Sequence, residues 1–166
     1  MIGHLQSRQV GDALGKFSLL HSVDSLKLAQ RIDRLAERDN VPPVDILLEC
    51  NMSGETAKFG FALDKWLTDK TQFAAFISTI EQLAVLKRVN IQGLMTMAPL
   101  SPNPEETRPV FKNLATLRRS LQKEMPQLEW QHLSMGMTDD FEVAIEEGAT
   151  IIRVGRALFG PRQQRD

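Results

Sequence analysis

Short apolar runs alternate along the chain with longer stretches in which apolar side chains recur every three or four positions. The short runs predict strands at residues 2–5, Phe17–His21, Val44–Asn51, Val89–Met97, Trp130–Leu133 and Ala149–Val154. Between them the helical period predicts a short helix, Ser7–Leu14, that stops at Gly15. A second helix follows Val23-Asp24-Ser25 and puts Leu28, Ala29, Ile32, Leu35 and Ala36 on one face. A helical stretch is expected from Gly60 to Leu67. A longer helix, Thr71–Leu86, has Phe73, Phe76, Ile77, Ile80, Leu83 and Ala84 inward. Pro102, Pro104 and Pro109 fall at or before the first turn of the next helix, where a missing N–H is tolerated. Its inner positions are Val110, Phe111, Leu114, Leu117 and Leu121, and Pro126 stops it. Near the end, Ser134 and Gly136 open a turn and Asp139 caps a helix, with Glu142 closing a capping box. Phe141, Val143, Ala144 and Ile145 give that helix its apolar surface, and Gly148 ends it.

The order is therefore β, α, β, α, with six predicted strands and little in–out alternation within them. Strands buried on both faces imply a parallel sheet covered by helices. With 166 residues and no linker or low-complexity tract, one domain over 1–166 is expected. A closed eight-stranded β/α barrel typically takes about 250 residues, so the pattern equally allows a doubly wound open sheet.

Composition removes several function classes. The net charge of −1 offers no excess of cations to neutralise a nucleic-acid backbone. No apolar run reaches the roughly 20 residues that cross a bilayer, and the first residues lack a secretory pattern. Cys50 has no second cysteine to pair with, which suits a reducing compartment, and the cytoplasm is the expected location.

Two turns rich in small residues, after Leu133 and after Val154, each follow a strand and lead into a helix. Such turns can aim free N–H groups at one anion, as the loops after strands 7 and 8 of a β/α barrel do. Ordinary strand–helix connections would read the same way. Arg153 stands in an otherwise apolar strand, so it is either paired with a carboxylate such as Glu49 or it serves a ligand. His4, His21 and His132 sit in or at the ends of predicted strands; hydrogen-bonded core histidines explain them better than a metal site. Ser53-Gly54-Glu55 with Lys58 is a weak candidate for a substrate loop. Met95, Met97, Met135 and Met137 read as core filling. No nucleophile elbow, Walker loop, dinucleotide fingerprint or Cys-x-x-Cys pair occurs.

An ordered series of motifs adds what the pattern cannot. It comprises Ile2-Gly3-His4-Leu5-Gln6, His21-Ser22-Val23-Asp24-Ser25, Asn51-Met52-Ser53-Gly54-Glu55 with Lys58-Phe59-Gly60, and Gly93-Leu94-Met95-Thr96. It continues with Leu133-Ser134-Met135-Gly136-Met137, Asp140-Phe141, Ala144-Ile145, Gly148-Ala149-Thr150, Arg153-Val154-Gly155 and Phe159-Gly160. The series resembles the YggS/PROSC family of pyridoxal phosphate homeostasis proteins, from residue 2 to about 162. The resemblance implies the barrel fold of the alanine racemase N-terminal domain, here as strands 3–8 of eight in a partial parallel β/α barrel. It also implies binding of pyridoxal 5′-phosphate (PLP) and a non-catalytic role in vitamin B6 and amino-acid homeostasis. Carried over by residue, Ser134 and the N–H groups of Gly155 and Arg156 would hold the phosphate. Gly136 would let the backbone approach it. Arg153 would face the pyridine nitrogen, and Thr138 and Met95 would line the pocket.

The family carries its Schiff-base lysine on the first barrel strand and a Gly-Glu-Asn motif on the second, both before the Ile-Gly-His-Leu-Gln motif. This sequence begins after both, and none of its lysines matches the family position, which leaves covalent attachment without its residue here. A racemase-type enzyme, which would need that lysine and a second base, and a cofactor-free interaction scaffold are the alternatives. Six strands in place of eight would also leave two sheet edges, at residues 2–5 and 149–154, so self-association or a protein partner is expected there.

Overall fold

The structure, a computed structural model, describes residues 1–160 and opens with a 3₁₀ turn at Ser7–Gln9. Then come α1 (Val10–Ala13), β1 (Leu19–Val23), α2 (Leu26–Arg38), β2 (Val44–Asn51), β3 (Phe61–Ala62) and α3 (Lys70–Ala84). After β4 (Val89–Met95), a second 3₁₀ turn at Pro104–Thr107 leads into α4 (Arg108–Glu124). The series ends with β5 (His132–Met137), α5 (Phe141–Glu146), β6 (Ile151–Arg153) and α6 (Arg156–Phe159). Two of the helices start where a side chain provides an acceptor. Ser25 Oγ accepts the Leu28 N–H of α2 at 3.3 Å, and Asp69 accepts those of Thr71 and Gln72 in α3.

Five strands lie in the order β1-β2-β4-β5-β6, all parallel, and β3 pairs only with β2. β1 and β5 are three strand spacings apart, about 14 Å in a flat sheet. The His21 side chain of β1 nevertheless meets Ser134 of β5 at 2.9 Å, so the sheet is curled into a trough. On β2, Val44, Ile46, Leu48 and Cys50 join the helix-side core, while Leu47 and Glu49 between them face the other way and are buried too. Burial on both faces is the signature of a parallel sheet in an α/β fold. The expected partial barrel is therefore present.

Its membership differs from the sequence reading in two places. Residues 2–5 form no strand. Instead Met1–Gly3 lie along the edge of β1: the Met1 amino group donates to the Leu19 carbonyl at 2.6 Å, and the His21 N–H donates to the Met1 carbonyl at 2.9 Å. The Ser22 hydroxyl adds a bond to the Gly3 carbonyl, so this edge is partly covered rather than open. The expected helix from Gly60 to Leu67 is replaced by the two-residue β3 and turns, because Cys50 and Asn51 at the far end of β2 offer backbone partners to Phe61 and Ala62. The other edge, β6, pairs with β5 alone among the described residues. Residues 161–166 of the expected single domain lie outside the description.

Candidate functional site

Towards the carboxyl ends of β4, β5 and β6 the floor of the trough is polar. Ser134 lies inside β5, in register with Met95 of β4, and not in the turn that follows. Its hydroxyl accepts from Arg153 Nη1 at 2.8 Å and sits 2.9 Å from His21 Nδ1. The guanidinium can only donate, so the hydroxyl keeps one lone pair and its proton for the contact with Nδ1, whose direction follows the tautomer of the His21 ring. The second terminal nitrogen of Arg153 donates to the Thr96 carbonyl at 2.8 Å. All three side chains are buried.

The electrostatics follow from that burial. The His21 pKa is pushed down to about 4 by desolvation, with further repulsion from the chain's amino terminus and from Arg153. Desolvation also lowers Arg153 to about 10, against the attraction of Asp140 and Glu49, so it stays charged at neutral pH. Glu49 is 4% exposed, and its Oε2 has no partner among the described residues. Burial, then the charge of Asp24, raise its carboxyl to about 7, partly offset by Arg153. The Arg153 donors thus go to Ser134 and a backbone carbonyl, and the pairing with Glu49 that the sequence allowed is not made. Burial raises the Cys50 thiol as well, which leaves it unreactive.

Above this floor lies an open cleft of about 550 Å³, a size typical of small-molecule sites. Thr138, Asp139 and Asp140 form one wall, Gly155 and Arg156 another, and Ala98–Ser101 with Ile2 a third. Thr138 Oγ1 accepts the N–H groups of Gly155 and Ala157, each at 3.4 Å. Those bonds are long, and the groups making them are the free amides that open α6. Arg156 reaches back to the Asp139 carboxylate across the same turn. Asp140 Oδ1 accepts the Met137 N–H, which ties down the loop that carries Thr138.

These contacts sort the residues singled out by sequence. Thr138, Gly155 and Arg156 come together around the cleft. Ser134 and Arg153 come together beneath it. Ser134, expected at the phosphate, is spent on Arg153 and His21; it is the hydroxyl of Thr138 that meets the Gly155 turn. Met95 is fully buried beside Ser134 and lines no part of the cleft. Gly136 has a φ of 92°, and a Cβ there would stand 2.7 Å from Ala144 Cβ and 3.0 Å from Phe141 Cα. Its bareness serves the packing of α5 on β5. The capping box also fails: α5 starts at Phe141, Asp140 makes no side-chain cap, and Asp139 is drawn to Arg156. Gly148, by contrast, takes the left-handed conformation that ends the helix.

His21 is the hydrogen-bonded core histidine that the sequence suggests, whereas no role was legible for Thr96 and Ala157, which act through a backbone carbonyl and a backbone amide. Among the described residues no three of His, Cys, Asp and Glu converge as metal ligands. His4 is stacked on Phe59, and His21 is occupied by Ser134. Of the lysines near strand ends, Lys58 reaches the mouth of the trough, where it donates to the Met97 carbonyl at 3.2 Å and pairs with Glu55. Lys16 lies ahead of β1, at the opposite end of the strands.

Three findings place the chain among known proteins. The sequence profile described as "Alanine racemase, N-terminal domain" matches residues 1–163. A pyridoxal phosphate homeostasis protein of Aquifex aeolicus is 43% identical over 162 residues, which are 98% of this chain and 66% of that protein. The chain thus spans about two thirds of that relative's length. PipY of Synechococcus elongatus, solved without PLP, superposes with a TM-score of 0.84 at 37% identity, covering 96% of this chain and 69% of PipY. The PLP-bound structure of PipY superposes at 0.79 with the same coverage.

Proposed function

Since the chain belongs to the alanine racemase N-terminal domain family, and within it to the pyridoxal phosphate homeostasis proteins, we propose that it binds PLP without turning it over. In this reading it holds the cofactor for cellular vitamin B6 and amino-acid balance. The observation that carries the proposal is the turn at the rim, where Thr138 Oγ1 and the N–H groups of Gly155 and Ala157 already converge. A phosphate in the cleft would take over those long bonds. Thr138 would turn its hydroxyl to donate, the amides would donate directly, and Arg156 would supply a cation beside them.

When bound, PLP supplies an electron-accepting ring, and the protein decides how strongly that ring draws electrons. Here Arg153 would do so. A guanidinium cannot accept a proton, so facing it the ring nitrogen stays unprotonated and the ring is a weak sink, which suits holding over turnover. Ser134, Thr96 and His21 keep that guanidinium in place. A racemase-type enzyme is the second reading. Glu49 favours it, as a carboxyl poised near 7 suits proton transfer.

Equilibrium binding of PLP and of pyridoxal, which lacks the phosphate, tests the proposal. PLP is expected to bind more tightly, and Thr138→Val to weaken PLP about tenfold while leaving pyridoxal unchanged. Equal binding of the two compounds, or an unaffected Thr138→Val variant, would overturn it. Conversion of an amino acid by the PLP-loaded chain, lost in Glu49→Gln, would move the enzyme reading ahead.

A further inference from the structure

On the outer surface, separate from the strand-end site, a cleft of about 360 Å³ is lined by Ser7, Arg8, Lys27, Arg31 and Arg34. Four of these five residues are cations, in a protein whose net charge is −1; their aliphatic stems wall the cleft, and their charged heads stand outside it in solvent. Lys27, Arg31 and Arg34 stand at i, i+4 and i+7 on α2, on a face distinct from its buried stripe of Leu28, Ile32 and Leu35. Arg8 faces them from the 3₁₀ turn, which is closed by reciprocal bonds between Gln6 and Gln9. Arg8 Nε donates to Gln6 Oε1 at 2.8 Å, so its fork is carried on a fixed turn and not on a loose tail.

No carboxylate pairs with any of the four among the described residues. The nearby acids are engaged elsewhere: Asp24 with His4 and Ser25, and Asp33 with the Arg88 N–H. Neither Asp12 nor Glu37 lines the cleft. Like charges at i, i+4 destabilise a helix, and an anion seated between them reverses that effect.

We propose that this cleft binds a compact polyphosphate, a small molecule carrying two or more linked phosphate groups. One phosphate is satisfied by one or two guanidinium forks, whereas four cations whose stems share one small cleft match several linked charges lying across its mouth. A peptide spreads its carboxylates along a chain and delivers less charge to so small a space. An extended nucleic acid would meet a surface of pI about 6.3 beyond the cleft, which repels it. The proposal does not depend on PLP binding, since the two clefts share no residue.

Calorimetric titration of the 166-residue chain with inorganic tripolyphosphate at about 0.15 M ionic strength tests it. Saturable one-site binding is expected, tighter than that of orthophosphate. The doubly substituted Arg31→Gln/Arg34→Gln chain should bind about tenfold more weakly or worse, with PLP binding unchanged. Without ligand, the same variant should melt no lower than the parent, since it relieves repulsion. Absence of saturable binding, or equal affinity in the double variant, would overturn the proposal. Tighter binding of a polyglutamate peptide would overturn it too, by making the cleft a docking face for an acidic protein segment.

Discussion

On the floor of the trough, Arg153 donates at 2.8 Å to both Ser134 and the Thr96 carbonyl, and His21 closes the set at 2.9 Å from Ser134. At the rim, a few residues further along the same strands, Thr138 accepts two amides at 3.4 Å each, and Arg156 and Asp139 are half-exposed partners. The floor is buried and nearly saturated; the rim is wet and loosely bonded. A group whose hydrogen bonds are complete and dry holds the fold together, because losing a partner leaves a desolvated group stranded. A group with long, solvent-exchanged bonds can trade them for a ligand at little expense. Depth along a strand, more than residue type, separates the two roles.

The largest expected effect lies on the floor. Arg153→Met should lower unfolding free energy by about 3 kcal/mol, because Ser134 and the Thr96 carbonyl lose a charged donor in a buried site. Urea denaturation measures this, and a loss below about 1 kcal/mol would show that the floor set does not hold the fold. Next comes Gly136→Ala, expected to cost about 2 kcal/mol from left-handed strain and from the clash with Ala144 and Phe141 of α5. If Gly136 instead served ligand access, PLP affinity would fall while stability held.

Glu49 gives a pH test of the floor. Its folded pKa of about 7 lies above the ordinary 4.5, so the fold binds that proton more tightly than the unfolded chain does. The resulting stability is fully present below about 4.5 and is lost as the pH rises through about 7. Relative to Glu49→Gln, the parent should therefore lose about 1–2 kcal/mol between roughly pH 5 and pH 8. His21 works the other way, losing stability as the pH falls from 6.5 towards 4, but it is common to both proteins and cancels in the difference. A pH-independent difference would mean that Glu49 is solvated. The smallest effect belongs to the rim: Thr138→Val should change stability by less than about 0.5 kcal/mol while weakening PLP.

Periodicity made the main helices legible, since packing against the sheet is what imposes their apolar stripe. All five predicted inner residues of α2 are buried, and the capping Ser25 and Asp69 stand where α2 and α3 begin. The misreadings share a cause. Whether residues 2–5 become a strand, or 61–62 pair, depends on backbone partners brought by distant segments, and short apolar runs do not encode those partners. Asp139, the cap that the sequence suggests for α5, is instead taken by Arg156, seventeen residues on. Ser134 looked like turn chemistry because serine favours turns, yet β5 extends through Met137 and buries it. The motif brings Ser134 and Thr138 forward together, but only the strand's length and curl put Ser134 on the buried floor and Thr138 on the cleft.

The most direct test of that assignment is a crystal structure of the chain grown with PLP. The phosphate is predicted within hydrogen-bond distance of Thr138 Oγ1 and of the Gly155 and Ala157 amides, with Ser134 still bonded to Arg153 and His21. A phosphate seated on Ser134, or beside Lys58 at the end of β4, would contradict it.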